Sequence, residues 1–300
     1  MISESVKSKL SWVKVSDADI DLDRFPDFLI AGPQRTGTTW LHAHLRYHPQ
    51  VFLSEPKEIF FFSSLKVQDG RRFQSNELSW YLQFFRDPIW RAALKTAICL
   101  WKYRQLYRPK IRGEATASYA SLDRDVIQDI AILKPDIKVI LMVRNPIERA
   151  WSHAKKDLVR NRGRKFEDVS ESEFKRFFAD PYQLQCAHYV ENYDNWAACV
   201  RPEHLFVGMF DDIERRPEKL LLDVMTFLGV NSDPRYIDRE VRNPVNPTES
   251  SRIPEQYRRF LEELLRPDLE SLRQRFGLSW SESGLQTTAH EGLSGPHRAL

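Results

Sequence analysis

Gly32-Pro-Gln-Arg-Thr-Gly37-Thr-Thr39 stands between an apolar run, DFLIA at 27–31, and a stretch in which Trp40, Leu41 and Leu45 keep helical spacing. Two glycines five residues apart at a strand-to-helix transition constrain the fold more than any other feature of this chain. Such a loop turns successive backbone N–H groups, with the positive end of the following helix, toward an anion. It shares its glycine spacing with GxxxxGK[ST]. However, Thr38 stands where nucleoside triphosphate hydrolysis needs lysine, and the cation, Arg35, comes earlier. The loop therefore predicts phosphate binding without ordinary ATP or GTP hydrolysis; the alternative is a turn that binds nothing. Only 11 of the 300 residues are glycine, about half the usual share of roughly 7%, so a pair inside one motif carries weight.

A second strand-to-helix unit follows at 137–143, IKVILMV, then Arg144-Asn-Pro146 and a helix expected over 147–159 with proline near its first turn. Further strands are expected at 111–115 and 205–210, and helices at 122–133 and 218–228, the last closed by Gly229. Strands alternating with helices imply an α/β fold, P-loop-like and three-layered, with a central, mostly parallel sheet flanked by helices. One domain is expected over 25–280, after an N-terminal extension at 1–24 and before a polar tail at 281–300 expected to be flexible.

Lys and Arg number 45 against 42 Asp and Glu, a net charge of +3, too weak globally to imply a nucleic-acid partner. No run approaches the roughly 20 apolar residues of a spanning helix, and the first residues lack a signal-peptide apolar region. A cytoplasmic protein with no membrane partner is expected. Cys99, Cys186 and Cys199 form no CxxC pair and are expected to be buried thiols rather than a disulfide framework or a zinc site. Residues 144–165 hold eight basic side chains against Glu148 and Asp157, a local +6 that leaves about −3 for the remainder.

The stretches FLIAGPQRTGTTWLHAHL (28–45) and VILMVRNPIERAWSHAKKDL (139–158) resemble the 5′-phosphosulfate loop and the 3′-phosphate strand and helix of sulfotransferases that use 3′-phosphoadenosine 5′-phosphosulfate (PAPS). KEIFFF (57–62), WYLQFF (80–85), GEATASY (113–119), Tyr189 with Trp196, and FLG (227–229) follow in the order of the heparan-sulfate-type branch and its bacterial relatives. The resemblance covers approximately 25–280. It implies PAPS as donor, with the 3′-phosphate held by Arg144 and Ser152, and the 5′ end by Arg35, Thr36, Gly37, Thr38 and Thr39. Arg252, after a stretch placed where the family covers the adenine, is a further 3′-phosphate candidate. Independently, a ligand phosphorylated at both ends needs two anion sites, and the chain has two strand-to-helix transitions with an arginine at each.

The resemblance also implies that Glu58 is the catalytic base and that Arg35 stabilises the leaving phosphate. A carboxylate beside Phe60, Phe61 and Phe62 is expected to be partly desolvated; the alternative is an ordinary surface Glu paired with Lys57. The family's commoner residue at position 35 is lysine. Arginine keeps the charge but cannot act as a compact proton-donating ammonium, so its role reads as electrostatic. Ala115 stands where heparan-sulfate-type enzymes often carry a catalytic lysine, for which Lys57 could substitute. The histidine base of small-molecule sulfotransferases, expected around 112–118, is missing there. His42, His44 and His48 read as surface or packing residues. No metal site is expected, since no HExxH or acidic ligand cluster occurs. Phe60–Phe62, Trp80, Tyr81, Phe84 and Phe85 line either an acceptor pocket or the core. The acceptor implied is a hydroxyl, with an amine second, of a saccharide or small natural product. Two rival readings remain at this point. One is a P-loop phosphotransferase using a nucleoside triphosphate; the other is a noncatalytic nucleotide- or RNA-binding module using the basic segment. Nothing in the sequence sets the oligomeric state.

Overall fold

The computed structural model describes residues 3–16, 20–67, 72–243, 245, 252–281 and 284–287. Its frame is built from β1 (Phe28–Ala31), α1 (Thr38–Leu45), β2 (Val51–Leu53), α2 (Ile89–Tyr103), β3 (Ile111–Ala115), α3 (Arg124–Leu133), β4 (Lys138–Val143), α4 (Pro146–Ala154), β5 (Leu205–Met209) and α5 (Pro217–Leu228). The five strands pair in the order β2-β3-β1-β4-β5, every pair parallel. Side chains alternate across the sheet. Leu29, Ala31, Val139 and Leu141 point into one apolar layer, and Phe28, Ile30, Ile140 and Met142 into the other. Burial on both faces explains why these strands read as continuous apolar runs.

The expected α/β architecture is therefore the observed one. Strand β5 stops at Met209, and Phe210 opens the helix Phe210–Arg215. The helix expected over 147–159 is α-helical to Ala154 and then widens into a π-helical turn, Lys155–Val159. Gly229 closes α5 in the left-handed conformation. Leu278–Ser281 pairs with Gly284–Thr287 as a hairpin, which crosses the expected domain boundary at 280; residues 288–300 lie outside the described residues. Cys99 and Cys186 are buried thiols, and Cys199 is half-buried.

The N-terminal segment packs on α3. Buried Asp129 accepts the backbone N–H groups of Ser11, Trp12 and Val13 at 2.8, 2.8 and 2.9 Å, and the Trp12 indole donates to Asp125 at 2.9 Å. Removing that acceptor leaves three amide donors without it, that of Val13 in the interior and those of Ser11 and Trp12 nearer the surface. Asp129→Ala is expected to destabilise the chain by about 3 kcal/mol and to lower Tm by roughly 6 to 10 °C, measured by thermal unfolding. An unchanged Tm would mean that the segment adds no stability.

Candidate active site

In this strand order the chain leaves β1 toward β2 and leaves β4 toward β5, in opposite directions, so the loops after the two strands diverge around a crevice at their carboxyl ends. That is where an open parallel sheet offers a binding site. The glycine loop fills one side of it. Gly32 allows close approach to β4, since a Cβ there would stand 2.8 Å from Met142 Cβ and 2.9 Å from its carbonyl oxygen. Gly37 has φ +97°, and a Cβ there would meet Ile213 Cδ1 at 2.3 Å. Between them Arg35 is left-handed at φ 77°, a conformation unfavourable for a side chain with a Cβ and common at functional loops.

The two proposed phosphate arginines converge. Arg144 donates from Nη1 to the Arg35 carbonyl at 3.2 Å, and Arg35 donates from Nε to Ser152 Oγ at 2.9 Å. Arg35, Arg144 and Ser152 thus form one connected set, where the sequence implied two separate sites. The Arg144 guanidinium lies 3.9 Å over the Phe210 ring, contacts Glu148 at 3.5 Å, and keeps a buried Nε without a partner. Burial, and then the charges of Arg144 and Arg160, hold the Arg35 guanidinium below its ordinary value, with Asp157 acting the other way. An excess of partly buried positive charge of this kind is relieved by an anion.

A cleft of about 190 Å³ opens beside this set, lined by Gln34, Arg35, Thr38 and Thr39 from the loop, Lys57 and Glu58 opposite, Ala117, and Lys156, Arg160 and Asn161 from the turn after α4. Thr36 does not face it. Its N–H and its hydroxyl both donate to Pro33 O, at 3.2 and 2.8 Å, so it braces the loop from inside. Arg252 is exposed and acts on Glu255; it is not among the cleft residues, and the stretch before it at 246–251 lies outside the described residues.

Glu58 reaches the cleft because its segment continues the ladder beyond β2. Ser54 N–H donates to Gly113 O and Glu58 N–H to Ala115 O, both at 2.9 Å. Its carboxylate accepts the Ala117 N–H at 3.0 Å and is ion-paired with Lys57. Phe61 and Phe62 turn away into the core with Tyr81 and Phe85, flanked by Trp80 and Phe84. Phe61 and Phe62 are therefore core, whereas Phe60 stays half-exposed with Arg72 over its ring, and the Glu58 carboxylate is held by a cation and an amide. His42 is also a packing residue: burial, followed by the charges of Lys57 and Arg46, pushes it down to about 4.

Two features escaped the sequence reading. The basic run at 144–165 does not form one patch. Arg149 is fully buried on Gln183, and Arg164 pairs with Glu173, while Lys156 faces the cleft from the π-helical turn and Arg160 from the residue just after it. Such turns recur at functional sites, and this one breaks the helical phase on which a sequence reading depends. The second is Glu114, fully buried in β3. It accepts hydrogen bonds from Tyr81 and, at 2.6 Å, from Thr116, whose hydroxyl accepts the Ile59 N–H at 3.1 Å. Burial pushes the Glu114 carboxyl up to about 7, against hydrogen bonds from Thr116, Tyr81 and Tyr119 that hold it down. It anchors the segment that carries Glu58. A charged residue in a strand covered on both faces was the available signal.

Comparisons with known proteins give the family and the fold. The chain is 28% identical over 222 residues to the human bifunctional heparan sulfate N-deacetylase/N-sulfotransferase 2, a match covering 69% of this chain and 22% of that protein. It is 30% identical over 127 residues to the membrane-associated sulfotransferase kil1 of Dictyostelium discoideum, covering 42% of this chain and 22% of that one. The chain thus spans about a fifth of the length of these curated relatives. The solved sulfotransferase from Alicyclobacillus acidocaldarius shares the fold, with a TM-score of 0.58 and 22% identity over 83% of this chain and 94% of that one. The profile of the sulfotransferase domain matches residues 25–257, which contain every cleft residue named above, and the chain belongs to that family.

Proposed function

We propose that the chain transfers a sulfuryl group from PAPS to a hydroxyl of a saccharide or small molecule, with Glu58 as base. The observation that carries the reading is the cluster of Arg35, Arg144 and Arg160 at the crevice, with Glu58 and Lys57 on the facing wall. The residues fit such a donor: Arg144 has a buried, unpartnered Nε, and Arg35 is held below its ordinary value by burial first and then by the charges of Arg144 and Arg160. Arg144 and Ser152 would hold the 3′-phosphate, and Thr38, Thr39 and the Gly37 amide the 5′ end. Bound there, PAPS supplies the sulfuryl group and a phosphate leaving group.

Glu58 would take the acceptor proton as the acceptor oxygen attacks. Lys57, paired with it, would then be the second cation of the site, filling the role that position 115 lacks. Arg35 would stand against the charge gathering on the leaving phosphate. The names of the heparan sulfate relatives favour a second reading, an amine acceptor. A labelled-donor screen separates the two by whether the product carries an O-sulfate or an N-sulfate.

Calorimetry with 3′-phosphoadenosine 5′-phosphate (PAP) tests the donor. The chain is expected to prefer PAP to ATP and to the analogue without the 3′-phosphate, and Arg144→Ala to weaken PAP by about tenfold to a hundredfold while barely moving the analogue. Preference for ATP would support a phosphotransferase instead, and polynucleotide affinity falling steeply with salt would support an RNA-binding module.

A further inference from the structure

Helix α2 is built inside out. Its buried residues are Arg91, Lys95 and Cys99. Arg91 donates to Leu53 O at 2.8 Å and pairs with Glu55, while Lys95 lies over the rings of Phe52 and Tyr107. The fold thus uses the cations as its inner contacts. Toward solvent, Trp90, Leu94, Ala97 and Trp101 recur at helical spacing on one face. Trp90 is 69%, Leu94 55% and Trp101 76% exposed, with Ile89 at 89% beside them. From 89 to 101 every exposed position is apolar. Two tryptophans and several aliphatic side chains in one uninterrupted patch are a binding surface rather than incidental exposure.

The charge around the patch selects the occupant. Residues 86–110 carry seven Lys and Arg against one acid, Asp87, and five of the seven lie outside, since Arg91 and Lys95 face inward. Arg86 before the helix, and Arg104, Arg108 and Lys110 after it, are exposed, as is Lys102 near its end, which pairs with Asp238. The −3 assigned to the chain outside 144–165 therefore conceals a second basic segment as charged as the first. A twofold contact with another copy would set this rim against itself, like charge on like. An anionic lipid surface meets both properties at once, taking the apolar face at the acyl boundary, tryptophan at interfacial depth, and the basic rim among the headgroups. We propose that the outward face of α2 seats this protein on an anionic membrane surface, with the helix lying in the interface. At 15 residues α2 is too short to span, and no described helix is long and apolar enough to cross. The expectation of no membrane partner came from the missing spanning run, which a helix lying flat does not need.

The test is co-sedimentation of the full chain with vesicles of equimolar phosphatidylcholine and phosphatidylglycerol, and with pure phosphatidylcholine, at low ionic strength. Partition is expected to be about tenfold or more greater on the anionic vesicles and to fall as salt is added. Trp90→Ser with Trp101→Ser should lower it by about tenfold, and Arg104→Glu with Arg108→Glu should remove the preference for the anionic lipid. Both pairs lie on the surface, so circular dichroism and PAP affinity should match the parent. Equal partition of parent and tryptophan variant, or of parent on the two lipids, would overturn the proposal. So would a parent dimer in sedimentation velocity that ignores lipid and becomes monomeric in the tryptophan variant, since the patch would then be a self-interface.

Discussion

Replacing Glu58 by glutamine is expected to leave PAP affinity within about twofold of the parent while turnover falls by about 10²- to 10⁴-fold, the range for loss of a general base. The substitution keeps shape and one acceptor oxygen, so the Ala117 N–H that now donates to Glu58 Oε2 retains a partner. The segment is also held independently of the carboxylate, through Glu58 N–H to Ala115 O and Ile59 N–H to Thr116. A folding explanation for the loss is therefore weak, and calorimetry beside single-turnover kinetics separates binding from chemistry. Near-normal turnover would reduce Glu58 to an ion-pair partner of Lys57.

Arg35→Ala is the second large effect, with turnover expected to fall by about 10²- to 10³-fold, the usual cost of deleting one preorganised charge donor. Part of the loss should appear in donor affinity, because Arg35 also ties Ser152 to the loop. Arg35→Lys separates the terms. It keeps the charge near the crevice but gives up the Nε contact to Ser152, so turnover should recover more fully than affinity. Single-turnover rates at saturating donor read the first, and calorimetry with PAP the second. If Arg35→Ala weakened binding alone, with turnover at saturation unchanged, Arg35 would be a docking residue with no part in leaving-group stabilisation.

The legible parts of this chain were those where one residue type answers one backbone demand. Gly32 and Gly37 marked the loop because a close approach to Met142 and a left-handed φ leave little choice of residue. Arg144 and Pro146 marked the start of α4, where Asn145 caps Ile147 and Glu148. Strand β2 was not legible: three buried residues are too few to display a period. Nor was α2, whose largest exposed side chains are the apolar Ile89, Trp90, Leu94 and Trp101 and whose Arg91 and Lys95 face inward, the reverse of the pattern a helix reading assumes. In the site, Arg35, Thr38, Thr39 and Glu58 came from motifs. Lys156 and Arg160 depend on a π-helical turn, and the anchoring by Glu114 depends on a contact with Tyr81 from 33 residues away in sequence.

The backbone bond from Glu58 to Ala115 makes the crevice mechanically two-sided. The acid stands on chain that is in effect an extra rung of the central sheet, so its amide opens to solvent exchange only when the end of that ladder opens. The facing cations stand on a widened helical turn and the residue that follows it, an irregular stretch where the α-helical bonding pattern gives way to i→i+5 and then i→i+3 bonds. Under the proposed reaction, fitting acceptors of different girth would fall to the wall that carries Lys156 and Arg160, while the wall that carries Glu58 keeps its place.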